Sequence, residues 1–66
     1  IIYGIYTGGS RNIISNNKID SVVGVTSAGI RVGGFKPNVS GNTSLNCTIN
    51  FKDDGSSTLS TGNIFA

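Results

Sequence analysis

The sequence predicts an all-β chain wound as a right-handed parallel β-helix fragment, about 2.5 coils long with a repeat of about 25 residues. Three observations predict it. Shifting the chain by one such repeat lays apolar residues on apolar residues and turn residues on turn residues. The composition is rich in glycine, asparagine, serine and threonine, with isoleucine and valine as the main large apolar residues, which favours strands and tight turns over helices. The apolar runs are short, and two-residue hairpin signals are nearly missing, with only Asp54-Gly55 qualifying.

The repeat orders the elements. Gly4-Ile5 falls on Gly29-Ile30, Gly8-Gly9 on Gly33-Gly34, Arg11 on Lys36, Ile14 on Val39, Ser15 on Ser40 and Asn17 on Asn42. The match is strong from Gly4 to Asn17 and poor between Lys18 and Val25. A further step of the same length brings Asn38-Val39 onto Asn63-Ile64. Short strands are expected at 4–7, 13–15, 21–25, 29–32, 38–40 and 48–51, separated by glycine or asparagine. Three strands and three turns make one coil, and the next coil stacks on it at the inter-strand spacing of about 4.8 Å. Ile5 then lies over Ile30 and Ile14 over Val39 inside, while Asn17 and Asn42 form a ladder whose amides satisfy one another. The coils are expected to occupy residues 1–50. Residues 51–66 read as irregular or as a terminal partial coil, because Lys52-Asp53-Asp54-Gly55-Ser56-Ser57 sits where the strand should recur.

The stretches Gly4-Ile5-Tyr6-Thr7, Arg11-Asn12-Ile13-Ile14-Ser15-Asn16-Asn17-Lys18-Ile19 and Gly29-Ile30-Arg31-Val32 resemble the pectin-lyase-like parallel β-helix repeat. That family alternates a Gly-Ile-x-Val strand with an Asn-x-Ile-x-x-Asn-x-Ile strand and turn. The resemblance covers about residues 3 to 45. It implies a fold and not an activity, since the family includes pectate lyases, phage tailspikes and appendages, and bacterial surface proteins.

Length and charge narrow the function classes. A chain of 66 residues buries only about 60% of the surface its unfolded state exposes, so its core is marginal, and small domains compensate with disulfides, a metal or assembly. The single Cys47 cannot form an intrachain disulfide, and without histidine no zinc site is available. Assembly is left: a stack of this size is about 10–15 Å tall, and repeat folds need about three units and caps. The chain begins at Ile1 and not at methionine, which reads as a processed product or a piece of a longer chain. The five cations are scattered, unlike a nucleic-acid footprint, and no apolar run reaches the roughly 20 residues of a membrane span. No cofactor is implied.

Candidate site residues follow from strand alternation. With Ile5 and Ile30 inward, Tyr6 and Arg31 face outward on successive coils, an aromatic and a guanidinium suited to contact a sugar and to stack on each other. An ordinary surface pair is the plainer reading. Arg11 and Lys36 also stack, at a turn, where an acidic polysaccharide, Asp20 or a neighbouring chain would relieve their repulsion; two solvated corner cations are the plainer reading. Asp53-Asp54 reads as a turn and not as a catalytic pair, because adjacent strand residues point to opposite faces. Cys47 reads as a small apolar residue aligned with Val22, and no histidine is present to activate it. Asn38, Asn42 and Asn46 stand in glycosylation sequons that matter only in a eukaryotic secreted protein.

The expected function is non-catalytic: a structural or binding segment of a β-helical attachment protein of the tailspike or fibre type, contacting host cell-surface polysaccharide. The alternative is a fragment of a polysaccharide lyase or glycoside hydrolase whose catalytic residues lie elsewhere. A small non-helical all-β module is the third possibility. The expected partners are the parent chain or identical subunits in a homotrimer, and the expected location is extracellular or on a virion surface.

Overall fold

A computed structural model describes residues 1–66. The chain is all-β, with nine short strands: β1 Tyr3–Thr7, β2 Ile13–Ser15, β3 Lys18–Asp20, β4 Ala28–Val32, β5 Asn38–Ser40, β6 Thr43–Leu45, β7 Ile49–Asp53, β8 Leu59–Thr61 and β9 Ile64–Phe65. They form three parallel sheets, ordered β1-β4-β7, β2-β5-β8 and β3-β6-β9. Each sheet takes one strand from each turn of the chain, which is the wiring of a parallel β-helix. Two coils are followed by a third that ends on the two-residue β9. The shortest dimension of the molecule is 13 Å.

The first register follows the expected repeat. Ile5 pairs with Ile30, Tyr6 with Arg31, Ile14 with Val39 and Ser15 with Ser40. The second register is a shorter, 21-residue one and departs from that repeat. Ile30 pairs with Phe51, Asn38 with Leu59 and Thr43 with Ile64. Asn63 therefore lines up with Asn42 and not with Asn38. The difference lies wholly in one corner: residues 21–27 join β3 to β4, whereas residues 46–48 join β6 to β7. The strand expected at 21–25 is part of that longer corner. Positive φ at Ser21, Gly24 and Thr26 breaks the extended backbone, and Val23 and Val25 stand exposed despite their strand propensity. The boundary expected at residue 50 falls inside β7, and residues 51–66 contribute β8 and β9 to the second and third sheets.

Stacked corners explain why such short strands persist. Left-handed backbone recurs at Arg11, Lys36 and Ser57, at Asn16, Gly41 and Gly62, and at Ser21 and Asn46. Each amide of the first two coils at these positions donates to a carbonyl one coil further on: Arg11 to Phe35, Lys36 to Ser56, Asn16 to Ser40, Gly41 to Thr61, Ser21 to Leu45 and Asn46 to Ala66. The corners thus carry hydrogen bonds between coils just as the strands do. Gly34 meets a stricter demand. It has φ +79° and lies so close to Gly9 that any Cβ would run into the Gly9 backbone.

The core is thin. Ile14, Ile30, Val32 and Val39 are buried at its centre, with Ile5, Ile19, Phe51 and Phe65 packed around them. In the third coil Phe51 stands at the position of Ile30 and Phe65 at that of Ser44, and their rings stack with centroids 4.7 Å apart. Only 10 of 66 residues are buried, so no single side chain dominates, and polar order inside the stack matters correspondingly more.

That order is the amide ladder at the corner between the second and third sheets. Asn42 is fully buried. Its Oδ1 accepts from the backbone N–H of Asn17 at 2.9 Å and from Asn17 Nδ2 at 3.0 Å. Its Nδ2 donates to the Ile14 carbonyl at 2.9 Å. Its own N–H and Nδ2 donate in turn to Asn63 Oδ1 at 2.9 and 3.0 Å. Asn63 Nδ2 repeats the pattern toward the Val39 carbonyl at 2.8 Å. Burial also removes Asn42 from use as a glycan acceptor.

Replacing Asn42 with alanine strands the Asn17 amide and the Ile14 carbonyl. At about 1–3 kcal/mol per stranded buried group, Asn42→Ala is expected to lower the unfolding free energy by roughly 3–5 kcal/mol. Asn17→Ala, at the half-buried outer rung, is expected to lower it by about 1 kcal/mol. Urea denaturation of the two variants checks the order; equal effects would mean that the buried rung has no special weight.

Candidate functional site

The outer face of sheet β1-β4-β7 carries the densest group of functional side chains. Strand pairing places Tyr6, Arg31 and Lys52 in one column across the three coils. The Arg31 guanidinium carbon lies 4.9 Å from the centre of the Tyr6 ring and 5.2 Å from that of Tyr3, within cation–π range of both. The two rings are tilted by 40° with centroids 5.4 Å apart. Arg31 Nη1 donates to the Tyr3 hydroxyl at 2.7 Å. Arg31 Nε donates to Asp54 Oδ2 at 2.8 Å, and Lys52 Nζ stands 3.7 Å from Asp54 Oδ1.

The electrostatics follow from these contacts. The hydrogen bond from Arg31 and the charge of Lys52 hold the Asp54 carboxyl below the usual carboxylate range, against the opposing effect of desolvation. The same bond, donated by Arg31 to Asp54, and the one it donates to the Tyr3 hydroxyl raise the Arg31 pKa against the opposing effect of desolvation. Arg31 is therefore a fixed cation with its plane set by two partners. Tyr6 is 57% exposed, so its ring is accessible to a ligand while Arg31 beside it is held.

Arg11 and Lys36 lie elsewhere, at the left-handed corner between the first and second sheets. Both are exposed, and neither takes part in the molecule's two ion pairs. Asp20 is not their partner. Its carboxylate accepts from Ser21 Oγ at 2.8 Å and from Asn46 Nδ2 at 3.1 Å at the corner after β3, and these bonds lower its pKa. Asp53 and Asp54 do not work as a pair. Asp53 Oδ1 accepts from the Gly55 amide and the Thr58 hydroxyl, both at 2.8 Å, which closes a local turn, while Asp54 faces Arg31. Cys47 is half-buried, its thiol 3.3 Å from the Leu45 carbonyl.

Four members of these groups escape a reading by constant shifts along the sequence, Asp54 among them because it reaches Arg31 only across a coil. Lys52 enters the Tyr6 column only through the shorter second register. Tyr3 joins through its hydroxyl, across a coil, where no sequence spacing announces it. Phe35 stands at the Arg11 corner, 44% exposed, with Lys36 Nζ 5.4 Å from its ring centre. The surface carries no cleft, so any ligand lies along it. No protein-family model, curated protein or solved structure matches the chain.

A pH dependence follows from Asp54. Its lowered folded-state pKa adds stability that is present above the unfolded value of about 3.9 and is lost as pH falls through the folded value. Asp20 acts in the same direction. Urea midpoints measured from pH 7 down to pH 2 are expected to fall below about pH 4, and Asp54→Asn to flatten that fall. An unchanged acid limb in the variant would show that the Arg31–Asp54 contact is thermodynamically silent.

Proposed function

We propose that this chain is a segment of a β-helical attachment protein of the phage tailspike or fibre type, at a virion or extracellular surface. In this reading β-helices stand side by side as a homotrimer, and the exposed sheet contacts host polysaccharide without cleaving it. The observation that carries the reading is the Tyr3–Tyr6–Arg31 group on the outer face of the first sheet. A pyranose ring has an apolar face of C–H bonds and an edge of hydroxyls. An exposed tyrosine ring receives the first, and a guanidinium with two of its five N–H donors engaged still offers donors to the second. The pectin-lyase-like repeat in Gly4-Ile5-Tyr6-Thr7 and Gly29-Ile30-Arg31-Val32 supports the setting by resemblance.

The same group argues against chemistry at this face. Glycoside hydrolysis needs two carboxyl groups about 5–10 Å apart, one of them able to hold a proton. Here one carboxylate, Asp54, stands between two cations that keep it ionised.

A glycan-binding screen of the full-length protein, run beside a depolymerisation assay, tests the proposal. Polysaccharide binding without chain cleavage is expected, with Tyr6→Ala weakening it by more than about 1 kcal/mol, roughly fivefold in Kd. Cleavage that disappears in Asp54→Asn would replace the attachment reading with an enzymatic one.

A further inference from the structure

We propose that the corner between the first and second sheets is a second ligand subsite, built by Arg11 of the first coil and Phe35 and Lys36 of the second, that takes the carboxylate or sulfate of an acidic polysaccharide. The inference rests on the glycan-binding reading and adds to it the charge of the ligand and the place where that charge is held.

The first support is the distribution of charge. All three carboxylates of the chain are engaged: Asp20 by Ser21 and Asn46, Asp53 by Gly55 and Thr58, and Asp54 by Arg31 and Lys52. None is left for Arg11 or Lys36. Arg31 is a poor receptor for an anion, because Asp54 already occupies its Nε edge. Three side-chain cations stay outside the ion pairs, Lys18 alone on β3 and Arg11 and Lys36 together at the corner between the first and second sheets, so that corner is the one place where two of them stack.

The second support is where those two cations stand. Ser10 pairs with Phe35, and the Arg11 amide donates to the Phe35 carbonyl at 2.8 Å, so Arg11 sits one coil above Lys36, about 4.8 Å away along the stack. Like charges carried on adjacent coils at one corner repel. Both residues also hold left-handed backbone, with φ at 56° and 52°, a region that asparagine and glycine enter readily and long side chains rarely. The corner between the second and third sheets uses Asn16, Gly41 and Gly62, and the corner after β6 uses Asn46. In the third coil the Arg11 position holds Ser57. The fold itself therefore does not ask for a cation here, yet two consecutive coils place one, against both backbone preference and mutual repulsion. A bound anion between the two reverses the repulsion.

The third support is Phe35. Its ring is 44% exposed at the same corner, with the Lys36 ammonium 5.4 Å from its centre. An acidic sugar presents an apolar ring face and a charge on one edge, which fits an exposed aromatic with an ammonium beside it and a second cation on the adjacent coil.

Binding of an oligosaccharide containing uronic acid, and of the same oligosaccharide with its carboxylates reduced to alcohols, tests the inference on the full-length protein. Arg11→Asn and Lys36→Asn suit the left-handed corner, so the double variant is expected to fold with an unchanged or raised melting temperature. The wild type is expected to bind the acidic form at least roughly tenfold more tightly than the reduced one, with a preference that weakens as salt rises. The double variant is expected to lose that preference, while Tyr6→Ala weakens both forms alike. Equal binding of the two forms, or a preference that survives the double variant, overturns the anionic subsite and leaves glycan binding standing. Binding of neither form, together with an empty glycan screen, overturns both.

Discussion

The amide ladder through Asn17, Asn42 and Asn63 is the constraint on which the rest of the molecule depends. Parallel strands of three residues have little to hold their register, because each sends only one or two side chains inward. A buried asparagine amide removes that freedom. Its oxygen takes two N–H groups from the coil before, and its nitrogen reaches one carbonyl there and one amide oxygen in the coil after. A slip of one residue would leave these groups buried and unpaired together. Apolar stacking of Ile5 on Ile30 and of Ile14 on Val39 contributes attraction, but it tolerates sliding in a way that the ladder does not.

Register then determines what the outside of the molecule displays. Once Ile5, Ile30 and Phe51 share one inner column, Tyr6, Arg31 and Lys52 must share an outer one. The outer column becomes an ordered group because charge and ring meet along it, and because Tyr3 and Asp54 hold Arg31 from either side. The left-handed corners are positioned by the same stacking, which is why Arg11 and Lys36 occupy equivalent places on successive coils. Surface chemistry here is a consequence of interior alignment.

The legible part of the sequence is the part with redundancy. Between Gly4 and Asn17 the repeat matches apolar, glycine and asparagine positions together, and the first register appears in full. The second register is hidden because the corner before β7 is shorter than the one before β4, which shifts every later residue against the expected frame. A constant repeat therefore matches the ladder residue Asn63 to Asn38, a strand residue. Strands β3, β6, β8 and β9 escape because two or three residues show no alternation. The segment 21–25 reads as a strand from its valines, whereas its left-handed backbone at Ser21 and Gly24 follows from where the corner must turn. In the outer group, Tyr6 and Arg31 are legible from the first register. Asp54 and Tyr3 are not, since side chains bridging between coils leave no trace in spacing.

The unequal corners have a consequence for how such a surface changes. A long segment or a short one can join the third sheet to the first without moving a rung, so the path between rungs is free to lengthen while the cross-section stays fixed. Inheritance of the scaffold and inheritance of the surface are thereby uncoupled. A lineage carrying this architecture can insert, trim or rewrite one corner at a time, and each edit stays local because the adjoining columns keep their own alignment.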